Sequence, residues 1–91
     1  MTTYLIAVTD GIDNVLKTIE EKWPDRYYYI KPNLLMLSAP GISSPSTIKE
    51  KLGLSTDKDA PSGLIIPLER YTTEGVLSKA AVDWYKEATN G

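Results

Sequence analysis

The chain has 91 residues, 42% of them apolar and 24% charged, with ten Lys and Arg against twelve Asp and Glu and a net charge of −2. It contains neither cysteine nor histidine, which excludes disulfides, thiolate metal sites and the commonest general base and metal ligand. Such a composition belongs to one globular domain over residues 1–91, with a single modest core covering about 60–65% of the surface that the unfolded chain exposes.

No apolar run approaches the ~18 residues of a membrane span, and no basic-then-apolar signal pattern opens the chain, so a cytoplasmic protein with no membrane partner is expected. The basic excess by which dedicated nucleic-acid binders neutralise phosphate is missing. Lys49, Lys51 and Lys58 lie close in sequence and read as solvated surface lysines, with a local basic patch as the alternative.

Tyr4-Leu5-Ile6-Ala7-Val8 is continuously apolar, the pattern of a central strand covered on both faces, or on one face plus an interface. Thr9-Asp10-Gly11 ends it. Asp10 is placed as the N-cap of a helix, and Asp13 adds negative charge to the first turn. Ile12, Val15, Leu16, Ile19 and Trp23 then fall at helical spacing on one stripe, which Pro24 stops at Trp23.

Residues 26–31 and 34–39 are two aromatic and aliphatic runs separated by Pro32-Asn33, which predicts a β-hairpin at the middle of the chain. Pro32 cannot start the mirror-image turns. A type I or II turn is expected, with Asn33 at the left-handed-tolerant third position and room for a bulge beside it. Ser44-Pro45 opens a short second helix with Ile48 and Leu52 inward and Gly53 as its left-handed end. After a polar loop, residues 63–68 form a fourth strand, which Pro67 assigns to an edge. A turn-rich linker from Glu69 to Thr73 leads to a last helix, from Glu74 or Ser78 to Ala88, with Leu77, Ala81, Trp84 and Ala88 on one stripe.

The order β-α-β-β-α-β-α predicts an α+β fold of the ferredoxin-like kind, an antiparallel sheet with helices on one face and an additional C-terminal helix. Its first and third strands would be central. The other face would be open, and the tyrosine and aliphatic side chains alternating along the hairpin would make it too apolar to stay exposed. Either the C-terminal helix or, as the favoured reading, a second copy of the chain covers it. Tyr27, Tyr29, Met36 and Trp84 are the expected interface residues.

Other constellations are weak. Asp10 with Asp13 offers oxygen ligands for Mg²⁺ or Mn²⁺ at the end of the first strand, beside the simpler capping role. Asp57-Lys58-Asp59 lacks the glycine and terminal glutamate of a calcium loop. No nucleophile–base pair and no Gly-rich phosphate loop can be assigned.

Thr3-Tyr4-Leu5-Ile6-Ala7, Tyr27-Tyr28-Tyr29, Gly75, Ser78 and Asp83-Trp84 resemble the SinR-like family of small proteins. That family is similar to the small CRISPR-associated protein accompanying the spacer integrase. The resemblance implies a ferredoxin-like fold, a homodimer packed through its sheets, and involvement with nucleic acid or defence systems. CRISPR-associated relatives carry an aspartate at the end of the first strand as a proposed metal ligand. Here that position is Thr9, with Asp10 one place later and on the opposite face.

The expected function is therefore that of a non-catalytic, cofactor-free homodimeric module binding another macromolecule, a protein or a nucleic acid, in a CRISPR or phage-defence context. The alternatives are a Mg²⁺-dependent nuclease with Asp10 as ligand and a small acidic phage-type inhibitor of a nucleic-acid-binding partner.

Overall fold

The computed structural model describes residues 3–42, 44–68 and 78–90. Its elements are β1 (Thr3–Asp10), α1 (Ile12–Lys22), β2 (Tyr27–Ile30), β3 (Leu34–Ser38), α2 (Pro45–Leu52), β4 (Ser62–Leu68) and α3 (Lys79–Asn90). The four strands form one antiparallel sheet in the order β2-β3-β1-β4. The two most continuously apolar strands are thus central, and Pro67 lies on an edge strand.

Local chemistry explains both of the first two helices. The α1 stripe turns Val15, Ile19 and Trp23 into the core, with Ile12 and Leu16 packed against it. In α2, Ser44 Oγ accepts a hydrogen bond from the Ser46 amide at 3.2 Å, Pro45 follows at the first helical position, and Gly53 (φ 70°) ends the helix. Ile48 and Leu52 are its buried residues. They meet Tyr4, Ile6 and Val8 of β1 and Leu35 and Leu37 of β3 in one cluster. Burying a side chain of this class contributes about 1.5–3 kcal/mol, and Tyr4 keeps its hydroxyl satisfied by donating to Ile42 O at 3.3 Å.

Two local expectations are corrected. Asp10 does not cap α1, because β1 runs on through it and pairs it with Ser62 beyond an irregularity at Thr9. Gly11 (φ 80°) takes the N-cap place with no side-chain hydrogen bond. The hairpin loop has three residues, 31–33, since Ile30 pairs with Leu34. It holds a cis Lys31–Pro32 peptide, and Asp25, not Asn33, is the one non-glycine residue with positive φ among the described residues. Asn33 is held instead by β1: its carbonyl accepts the Val8 amide at 2.9 Å and its side-chain amide donates to Val8 O at 3.0 Å.

The sheet face turned away from α1 and α2 is covered in part by α3, which lies across β1, β2 and β3. Ser78 Oγ accepts the Ala81 amide at 3.3 Å at its start. Ala81 is buried and Trp84 half-buried, with the Trp84 ring 6.2 Å from that of Tyr28 at 47°. The Glu69–Thr73 linker, the Glu74 start and Leu77 lie outside the described residues.

Candidate interaction surface

Register decides which side chains share a face. Tyr28 pairs with Met36, whereas Tyr27 pairs with Leu37 and Tyr29 with Leu35. Tyr27 and Tyr29 therefore belong to the core side, packed against the main cluster. Tyr27 donates to Glu20 Oε1 at 2.9 Å, and Tyr29 donates to Pro32 O at 2.6 Å. The Glu20 carboxylate, chiefly through that hydrogen bond, raises the Tyr27 pKa above its ordinary value of 10.0; desolvation and the charges of Glu20 and Asp25 act in the same direction. Met36, 1% exposed, and Trp84 lie on the opposite face with Tyr28. The structure thus brings Met36 together with Trp84, and Tyr27 with Tyr29, but the two pairs stand on opposite sides of the sheet. A two-residue turn would have set Tyr29 across from Met36; the third loop residue flips that relation.

Beyond α3, the same face continues over β1 to β4. Ala7 pairs with Leu64, Leu5 with Ile66 and Thr3 with Leu68, so Leu64 and Ile66 stand beside half-buried Leu5 and Ala7. Leu64 is 64% exposed and Ile66 43%, and they are the exposed large hydrophobics among the described residues. Sequence reasoning missed both, although the alternation of Leu64, Ile66 and Leu68 places them on one face of an edge strand.

The backbone of β4 adds a second feature. Val8 uses both its amide and its carbonyl toward Asn33. By strand alternation Tyr4, Ile6 and Val8 thus address β3, while Thr3, Leu5 and Ala7 address β4. Their partners Leu64, Ile66 and Leu68 point inward, which leaves the amides of Gly63 and Ile65, and the carbonyls of Gly63, Ile65 and Pro67, along the outer edge. Pro67 spends its missing donor on the solvent side, the one position where an edge strand tolerates it.

The polar candidates are dispersed. Asp10 and Asp13 are exposed, and no group of three or more acidic residues able to hold a metal stands together among the described residues. Lys49, Lys51, Lys58, Asp57 and Asp59 are exposed as well. Lys49 lines an open groove of about 350 Å³ with Leu54, Ser55, Thr56, Ser62 and Gly63, and is the one charged residue among the described residues that line it. Two of the hydroxyls there are engaged: Ser62 Oγ shares a 2.7 Å hydrogen bond with Thr9 Oγ1, and Ser55 Oγ accepts the Asp57 amide at 3.0 Å. No described helix is long and apolar enough to cross a membrane.

Comparison with family models, curated proteins and solved structures finds no match.

Proposed function

We propose that the chain is a single ferredoxin-like domain serving as a non-catalytic interaction module in the cytoplasm. Support for the ferredoxin-like reading comes from the strand order β2-β3-β1-β4, with β1 and β3 central and α1 and α2 bridging β1 to β2 and β3 to β4. The module works as a homodimer and binds a further macromolecule, in keeping with the SinR-like resemblance and its nucleic-acid or defence setting. The observation that carries self-association is the pair Leu64 and Ile66, exposed side by side on an uncharged edge strand. Apolar side chains grouped in this way at the end of a sheet mark a contact surface.

Sedimentation across roughly 10–500 μM, the range in which small interfaces dissociate, is expected to show twice the chain mass at the upper end. Leu64→Lys is expected to hold the chain monomeric while changing its own stability by no more than about 0.5 kcal/mol, since the side chain is mostly in solvent. A wild-type monomer throughout that range would refute the proposal.

A further inference from the structure

Resting on that reading, we infer that the second copy adds its β4 antiparallel to this one about a two-fold axis at Ile65, joining two four-stranded sheets into one. An interface of this kind uses the same patch twice, so the strand must complement itself. Ile65 is the middle residue of Ser62–Leu68, and it is one of the three residues whose backbone faces outward. Folded about it, the two Ile65 residues exchange both of their hydrogen bonds. Gly63 of each copy then faces Pro67 of the other, and its amide donates to the Pro67 carbonyl. The missing proline donor leaves only the Gly63 carbonyl to water.

Other registers match less well: centring on Leu64 pairs Gly63 with Ile65 and makes as many backbone bonds, but it sets Ile66 opposite Ser62 and breaks the apolar strip. Centring on Pro67 sets two residues without N–H groups against each other. Centring on Gly63 brings Ile65 opposite Pro61, again a residue without a donor.

Side chains agree with the backbone. In this register Leu64 of one copy stands directly opposite Ile66 of the other on the open face, at a closely spaced non-hydrogen-bonded position. The apolar strip therefore runs unbroken across the joint. No charged residue lies in β4, so two chains of net charge −2 meet there without like charges in contact. Nor does the edge carry the lysines or inward charges by which exposed edges repel one another. The area covered, two seven-residue strands and four aliphatic side chains, falls below the roughly 1,600 Å² of a standard complex, in the class under about 1,200 Å². That makes the dimer a dissociable one.

Because the chain has no cysteine, single-cysteine variants report the geometry directly. In Ile65→Cys the paired Cα atoms stand about 5.5 Å apart, within disulfide reach, whereas Leu64→Cys meets its own counterpart only diagonally, at about 7–8 Å. In the full chain under mild oxidant, Ile65→Cys is expected to form covalent dimer roughly tenfold faster than Leu64→Cys. If Leu64→Cys links as fast or faster while wild type sediments as a dimer, self-association stands and the pairing centred on Ile65 is overturned. A wild type that stays monomeric overturns both and leaves β4 to an extended segment of another protein. A second measurement needs no variant: in wild type the Gly63 and Ile65 amides are expected to exchange more slowly as concentration rises. Exchange independent of concentration, in a chain that does dimerise, counts against the pairing.

Discussion

β2 and β4 are the two edges of one sheet, and they are finished in opposite ways. β2 is dressed on both faces: Tyr27 and Tyr29 pack on the core side, and Tyr28 meets Trp84 of α3 on the other. β4 packs Ile65 against the core but turns Leu64 and Ile66 to solvent. Among the described residues, α3 lies across β1, β2 and β3, and Leu64 and Ile66 of β4 stay exposed beyond it. The hairpin tyrosines are engaged within the chain, whereas Leu64 and Ile66 are not covered to the same degree, and the proposed interface rests on that contrast.

The largest expected effect comes from loosening β4 where it is held most closely. A Cβ on Gly63 would lie 2.5 Å from Ala7 O and 3.0 Å from Val8 Cα, both main-chain atoms of β1. Backbone cannot swing aside as a long side chain does, so β1 and β4 must separate locally. Gly63→Ala is expected to cost about 3 kcal/mol in urea unfolding, and to abolish self-association along with it. Unfolding at the wild-type midpoint would show that the two strands part easily.

Undressing β2 is the next test. Trp84→Ala removes the ring contact with Tyr28 and bares the side of the sheet that holds Met36. Fully buried tryptophans cost about 3–5 kcal/mol on truncation; a half-buried one should cost about 2 kcal/mol. The variant should also bind a hydrophobic dye, making β2 resemble β4. Unchanged stability without dye binding would mean that α3 contributes little to that face.

Much of this contrast is legible in the sequence, and the unreadable part has a physical cause. The α1 stripe, the Ser44-Pro45 start and Gly53 end of α2, and the edge position of Pro67 depend on nearest neighbours, and all are found. Asp10 escapes such reasoning because capping and strand pairing compete for it, and its pairing partner Ser62 is remote in sequence. The hairpin faces turn on a single loop residue, Lys31, whose inclusion moves Met36 from Tyr29 to Tyr28. The stripe on α3 shows that the helix has an apolar side but not which strands it crosses. Leu64 and Ile66 therefore read like any buried strand residues until the helix is placed.

The smallest effect concerns the tie between β2 and α1. Tyr27 donates to Glu20, and its pKa lies above 10.0, first because that hydrogen bond favours the neutral phenol. The folded state thus holds this proton more tightly than the unfolded chain, where tyrosine titrates near 10. The resulting stability is fully present below that unfolded value and is lost as pH rises through the raised folded one. Tyr27→Phe should therefore remove a late component of the tyrosinate absorbance above about pH 10, while stability at pH 7 changes by no more than about 0.5 kcal/mol, as for other half-exposed positions. Glu20→Gln keeps an acceptor but not the charge, so it should bring the late component only part of the way back. If the Tyr27→Phe variant keeps that late component undiminished, the tyrosine–glutamate bond does not persist in solution. β2 would then be tied to the helix layer by packing alone, a weaker version of the difference between the two edges.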